Sequence, residues 1–278
     1  MDATVTDSYA VVGNPIEHSR SPEIHTAFAA QTGQDICYRK HLVEPGGFVA
    51  FARDFFARGG CGLNVTVPFK LDACAFADEL TPRARAAGAV NTLMRRADGT
   101  VLGDNTDGAG LVADLHRLGW PLRGRRLLLL GAGGAVRGGL LPLLEERPAL
   151  VHIANRTASK AERLAEEFAG SGNLSAGGLD DVPPGFDLII NASAASLADE
   201  VPPLPASAVG NHCGAYDMVY GPRPTAFMRW AAAAGAETAD GLGMLVGQAA
   251  ESFYLWRGVR PDVAPVLEQL RREMQLSA

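Results

Sequence analysis

The run RRLLLLGAGGAVR (125–137) constrains the fold more than any other stretch. Four consecutive leucines show no period-2 alternation, so a strand formed here is apolar on both faces. It leads directly into Gly131-Ala132-Gly133-Gly134, a turn that opens a helix. A strand of this kind needs a sheet covered by helices on both sides. Downstream, VHIANRT (151–157), the helical ASKAERLAEEFAG (158–170), FDLIINAS (186–193) and GAYDMVY (214–220) repeat the strand–helix pattern. Pro142 falls inside the helix after the turn and is expected to kink or shorten it.

The first hundred residues follow a related pattern. YAVVG (9–13), ICYRKHLV (36–43) and LNVTV (63–67) read as strands, and FVAFARDFFARGG (48–60) as an amphipathic helix. In SPEIHTAFAAQTG, Ser21 is placed to cap the helix, Pro22 to open it and Gly33 to stop it. A further helix is expected to run through Leu80. AVNTLMRR and TVLGDNT flank Ala97-Asp98-Gly99, a hairpin signal that makes this sheet mixed rather than parallel. DGAGLVADLHRLG (107–119) is helical, and Leu242, Leu245, Val246, Ala249, Phe253 and Trp256 form one apolar stripe on a late helix. The expected class is α/β in two domains. Residues 1–106, rejoined by the helices of 242–278, form a mixed-sheet domain, and 107–241 form a Rossmann-like parallel-sheet domain.

Composition narrows the function. The chain has 278 residues with a formal charge of −6, which argues against a nucleic-acid or anionic-membrane surface. No apolar run approaches the roughly 20 residues of a membrane span. MDATVTDSYA carries acid where a signal peptide carries basic and apolar regions, so the expected compartment is the cytoplasm. Cys37, Cys61, Cys74 and Cys213 are dispersed and read as buried small hydrophobes in a reducing environment. No ligand spacing points to a metal, and the expected partner is a small molecule. The chain is expected to be a monomer or homodimer.

Bare amides in the glycine turn, at a helix N-terminus, suit a pyrophosphate. The dinucleotide pattern is incomplete, because valine stands at 136 in place of the third glycine. The next strand ends Ala154-Asn155-Arg156-Thr157 with Lys160 one turn later, and it has no carboxylate to repel a 2′-phosphate. This combination favours NADP over NAD. Elsewhere, NVTVPFK (64–70) puts Asn64 and Thr66 on one strand face and ends on Lys70. Ser19 and Ser21, Asn91, Asn105 and Asp107, and Gln248 supply further polar groups. Each alone is explained as a cap or a solvated side chain, but together they suit a small polyhydroxylated acid.

These stretches, GNPIEHSRSPEIH, NVTVPFK, GAVNT, GDNTDG, GAGGA, NRT, YDMVYGP and DGLGMLVGQ, occur in the order found in shikimate dehydrogenases, and the chain resembles that family over nearly its whole length. The resemblance implies NADPH-dependent reduction of 3-dehydroshikimate to shikimate, a step of aromatic amino-acid biosynthesis, in a cleft between two α/β domains. It implies Lys70 and Asp107 as the catalytic pair, and Ser19, Ser21, Thr66, Asn91, Asp107, Tyr220 and Gln248 as substrate contacts. The implied cofactor contacts are Gly131, Ala132, Gly133, Gly134 and Ala135 in the turn, Asn155, Arg156, Thr157 and Lys160 beyond it, and Met218 and Gly241. NASAASLADE (191–200) departs from the glycine-containing loop expected after the Asn-Ala pair. An NAD-using quinate/shikimate dehydrogenase and a nonenzymatic NADP sensor are the competing readings. Arg156 argues against the first, and the presence of both Lys70 and Asp107 against the second.

Overall fold

Two six-stranded sheets organise the chain, one in each of two units. The computed structural model describes residues 6–276. The first unit runs to Gly110 and resumes over Val246–Glu268; the second spans Leu111–Leu245 and resumes at Gln269.

The first unit contains β1 (Asp7–Gly13), α1 (Ser21–Thr32), β2 (Ile36–Leu42), α2 (Phe48–Ala57), β3 (Gly60–Val65), α3 (Lys70–Phe76), β4 (Glu79–Leu80), α4 (Pro82–Ala87), β5 (Thr92–Arg95) and β6 (Val101–Asp104). Strand order is β2-β1-β3-β5-β6-β4; β1 pairs in parallel with β2 and β3, while β5 runs antiparallel to β3 and β6. This is the mixed sheet that the hairpin signal requires. Alternation along β1 sends Ala10 and Val12 into a core with Phe48, Leu63 and Phe69, and Tyr9 and Val11 into another with Ile16 and Tyr38. Both faces are therefore covered, as continuous apolar strands demand.

Helix α5 (Asp107–Arg117) leads into the second unit, which holds β7 (Arg126–Leu130), α6 (Gly134–Glu145), β8 (Leu150–Ala154), α7 (Ala158–Glu167), β9 (Leu174–Gly177), β10 (Phe186–Asn191), β11 (Val209–Asp217), α8 (Ala226–Ala233) and β12 (Glu237–Asp240). Its strand pairs are parallel, in the order β12-β11-β10-β7-β8-β9. Chain direction across the sheet reverses between β7 and β10, the place where such sheets form a crevice at their carboxyl ends. Helices α9 (Leu242–Arg257) and α10 (Val263–Leu276) complete the chain. No helix among the described residues is long and apolar enough to cross a membrane.

Several local expectations need correction. Arg20, not Ser21, occupies the cap position of α1, and Ser21 is the first helical residue; Gly33 ends the helix at φ 65° as expected. β3 lies earlier than LNVTV, because Gly60 and Gly62 extend it backwards. A Cβ on Gly62 would sit 2.4 Å from Trp256 Nε1, so this strand uses glycine to admit an aromatic cover. Its forward end is fixed by the turn in which the Phe69 amide bonds the Thr66 carbonyl at 3.0 Å. The following helix stops at Phe76 rather than Leu80, since Asp78 turns to pair with Val101 and Glu79–Leu80 adds a short strand beside β6. α6 continues through Pro142, where burial of Leu140, Leu143 and Leu144 outweighs the lost backbone bond. Only Cys213 of the four cysteines is buried; the other three are partly exposed.

His25, on α1, is fully buried and stacks on Tyr38 with ring centroids 4.4 Å apart. Neither ring nitrogen has a hydrogen-bond partner among the described residues. Burial lowers its pKa to about 3; the nearby Asn64 side chain pulls weakly the other way without reaching hydrogen-bond geometry. The folded chain thus keeps this ring neutral while the unfolded chain protonates it below its ordinary value near 6.5. The unfolded state binds the extra proton, so stability falls as pH drops from 6.5 toward 3, with a limiting slope of about 1.4 kcal/mol per pH unit. Denaturation measured from pH 7 to 4.5 is expected to show this loss, and His25→Phe to flatten it. Parallel pH dependences for the two proteins would contradict the assignment.

Candidate active site

In the first unit the polar residues converge on one carboxylate. Lys70 opens α3, just past the Thr66–Phe69 turn, and its Nζ lies 2.5 Å from Asp107 Oδ2. The two side chains are 31% and 17% exposed, so water still reaches the pair. Asp107 is the first residue of α5, and its amide bonds Asn105 Oδ1 at 3.2 Å. Its other oxygen, Oδ1, accepts from Asn91 Nδ2 at 2.8 Å.

Asn91 is itself fixed. Its Oδ1 accepts from the Thr106 amide and from Thr92 Oγ1, each at 2.9 Å, which turns its nitrogen toward Asp107. Gln248, on α9, brings Oε1 to 3.4 Å from Asn91 Nδ2 and 3.5 Å from Thr106 Oγ1. Asp104 anchors the segment from below, accepting from Arg83 Nε and Nη2 at 2.8 and 2.6 Å and from Thr81 Oγ1 at 2.6 Å. Burial pushes the Asp104 carboxyl up, but Arg83 and these hydrogen bonds prevail and hold it below the usual carboxylate range.

Ser19 and Ser21 stand together where α1 begins, with their hydroxyls 3.3 Å apart. Thr66 lies just past β3, its amide bonded to the Val12 carbonyl at 3.0 Å and its methyl against Gly13. Asn64, expected to share one polar strand face with Thr66, is buried. It accepts from Tyr38 OH at 2.6 Å and donates to Thr92 Oγ1 and Ser252 Oγ at 3.2 and 3.0 Å. It is a structural amide whose hydrogen-bonding capacity is used internally. Thr106 and Ser252 join the network without having been singled out by residue type. Thr106 sits inside GDNTDG, and Ser252 lies one helical turn beyond Gln248, a spacing that could have exposed it. Tyr220 alone of the expected substrate set belongs to the second unit, half-buried after β11.

The second unit carries a groove of about 540 Å³. Gly131, at φ 110°, turns the chain out of β7, and Gly133 occupies the cap position of α6. Side-chain-sized space is open beside Gly133 and Gly134, and both are exposed together with Ala135. The same groove is lined by Ala132, Asn155, Arg156 and Leu179, and by Ser193 from the opposite loop. Arg156, Thr157 and Lys160 are exposed where β8 gives way to α7. Val136, in the third-glycine place, is buried and packs as core. Met218 and Gly241 are neighbours: a Cβ on Gly241 would fall 2.1 Å from the Met218 carbonyl, so only glycine fits there. Open amides, a guanidinium and an ammonium are donors that fit a phosphorylated dinucleotide.

The chain is similar to known proteins in sequence and in fold. The family model described as the shikimate dehydrogenase substrate binding domain matches residues 11–93, that of shikimate/quinate 5-dehydrogenase matches 115–198, and that of the shikimate 5′-dehydrogenase C-terminal domain matches 241–271. The chain is 58% identical to shikimate dehydrogenase (NADP(+)) of Cellvibrio japonicus, covering 97% of this chain and 99% of that one. It is similar to shikimate 5-dehydrogenase from Thermus thermophilus, solved in complex with NADP(H) and shikimate. That likeness has a TM-score of 0.85 and 35% identity, over 96% of this chain and 99% of the other. An Ael1 enzyme from Pseudomonas putida superposes with a TM-score of 0.90 at 45% identity, over 95% and 98% of the two chains. With matches of this depth over nearly its full length, the chain belongs to the shikimate dehydrogenase family.

Proposed function

We propose that this chain catalyses the reversible NADPH-dependent reduction of 3-dehydroshikimate to shikimate in aromatic amino-acid biosynthesis. The observation that carries this reading is the Lys70–Asp107 pair at 2.5 Å, set in a network of hydroxyl and amide groups. NADPH supplies the hydride that reduces the ketone carbon. Lys70 donates a proton to the carbonyl oxygen as negative charge develops there, and its ammonium stabilises that charge beforehand. In the reverse direction the neutral amine takes the proton back. Asp107 holds the lysine in place and accepts from a substrate hydroxyl. Asn91, with its carbonyl already bonded to the Thr106 amide, directs its nitrogen at Asp107 and neighbouring substrate oxygens. Ser19, Ser21, Thr66, Tyr220 and Gln248 are assigned to the remaining carboxylate and hydroxyls.

We assign the substrate chiefly to the first unit and the cofactor to the second. The Gly131–Ala135 turn takes the pyrophosphate on the amides that follow Gly131, whose own amide bonds the Ala154 carbonyl at 2.8 Å, while Arg156 and Lys160 take the 2′-phosphate, with Asn155 and Thr157 beside them. Met218 and Gly241 complete the cofactor contacts. Free thiols at Cys37, Cys61, Cys74 and Cys213 fit a reducing, cytoplasmic setting. The direct test is NADPH formation by the purified chain given shikimate and NADP, with quinate and NAD as competitors. Absence of turnover would overturn the reading, and preference for quinate with NAD would replace it by the dual-substrate alternative.

Two sets of substitutions follow from the assigned roles. Lys70→Ala and Asp107→Asn should each lower kcat by roughly 10²–10⁴-fold, the usual size of a general acid–base contribution. Asp107→Asn should also raise the KM for shikimate, while NADPH affinity stays near that of the parent. An unchanged kcat in Lys70→Ala would return that lysine to a solvated surface role. Arg156→Asp should raise the KM for NADP by about tenfold or more while sparing NAD, because it sets a negative charge against the phosphate. Equal losses with both cofactors would make Arg156 structural.

A further inference from the structure

A buried carboxylate organises one wall of the groove in the second unit. Asp217, the last residue of β11, is fully buried. Ser196 Oγ and Thr225 Oγ1 donate to its Oδ2 at 2.5 and 2.6 Å. The Val219 amide and Asn191 Nδ2 donate to its Oδ1 at 3.1 and 3.4 Å. None of these four donors carries a positive charge. Burying a carboxylate on neutral donors alone costs more than burying an amide of the same shape. The charge therefore calls for a purpose beyond filling space.

Its effect is to orient Asn191. The Asn191 amide nitrogen faces Asp217 and Ser196 Oγ, the latter at 2.8 Å. The carbonyl oxygen must then face the other way, where it accepts from the Ser193 amide at 3.1 Å and from Ser193 Oγ at 2.7 Å. Ala192 and Ser193 line the groove, and the Ala192 carbonyl lies only 3.3 Å from where a Cβ on Gly131 would be. The same residue precedes Met218, whose amide donates to the backbone carbonyl of Asn191 at 2.9 Å. One charge thus fixes the amide orientation of Asn191, the start of the 192–198 loop and the start of the 218–220 segment.

We propose that Asp217 is a positioning residue for the cofactor. By polarising Asn191 and Ser196, it holds the Ala192–Ser193 backbone against the glycine turn, so that the groove is preformed for NADPH. The proposal rests on the NADP reading of that groove, so NADPH binding to the parent chain is measured first, by the change in NADPH fluorescence. Asp217→Asn keeps the shape but replaces one acceptor by a donor that opposes Ser196 and Thr225. Its dissociation constant for NADPH should rise about tenfold or more, and that of Ser196→Ala about threefold, in line with losing hydrogen bonds to a charged group. The KM for 3-dehydroshikimate, measured at saturating NADPH, should rise by a smaller factor than the NADPH dissociation constant, because Asp217 reaches the substrate only through the segment that carries Tyr220. If the parent chain fails to bind NADPH, the NADP reading falls and takes the proposal with it. If the parent binds and both variants keep its affinity, losing only thermal stability, Asp217 is a structural residue and the proposal alone is overturned. Should Asp217→Asn fail to fold, Ser196→Ala decides the matter by the same two criteria.

Discussion

Everything in the first unit's polar cluster depends on the carboxylate of Asp107 being shared between a cation and an amide. One oxygen takes Lys70 at 2.5 Å and the other takes Asn91 at 2.8 Å. A lysine on a four-carbon stem has many rotamers, and an ion pair this exposed adds little to stability. Its value is placement. Asn91 removes the remaining freedom of the carboxylate, and the backbone removes the freedom of Asn91. The Asn91 amide bonds the Asp104 carbonyl at 3.0 Å, and its own carbonyl accepts from the Val65 amide at 2.8 Å. The site is therefore carried by the ends of β3, β5 and β6 rather than by a mobile loop, the arrangement that holds reacting groups to a fraction of an ångström.

On the proposed reading the second unit meets a different problem, recognising a cofactor that is largely charge. Its groove is lined by Gly133 at the head of α6 and by the exposed Arg156, with Lys160 exposed one turn further on. Arg156 and Glu200 are the charged side chains among the groove's described lining residues, so any preference for an anion comes from the helix N-terminus and from Lys160 nearby. Val136 shows that the third glycine of the dinucleotide pattern concerns packing rather than phosphate. It is buried, while Gly133, Gly134 and Ala135 stay exposed.

What the sequence reveals depends on how local the cause is. The leucine run over 127–130 announces a doubly covered strand by itself, and Ala97-Asp98-Gly99 announces the hairpin. Gly99 sits at φ 89°, and Asp98 Oδ1 accepts from the Thr100 amide at 2.9 Å. Both signals span a few residues. The start of β3 is hidden in the sequence because its glycines read as breakers until Trp256, from far along the chain, is seen packed against Gly62. Pro142 misleads for the same reason, since packing from surrounding leucines keeps α6 intact. Asn64 reads as part of a polar strand face because residue type and strand face alone do not disclose partners such as Ser252, 188 positions away. Motif residues such as Lys70, Asn91 and Asp107 can be named from sequence, but the order in which they bond cannot, because it is set by the meeting of three strand ends.

On the proposed mechanism Lys70 and Asp107 act as one unit in proton transfer. A double-mutant cycle in kcat, comparing the parent, Lys70→Ala, Asp107→Asn and the combined variant with 3-dehydroshikimate and NADPH, tests it most directly. If the carboxylate acts by placing the lysine, the combined variant should be little slower than the poorer single variant, because groups that work together are strongly non-additive. Losses that simply multiply would show two independent contributions and contradict the account.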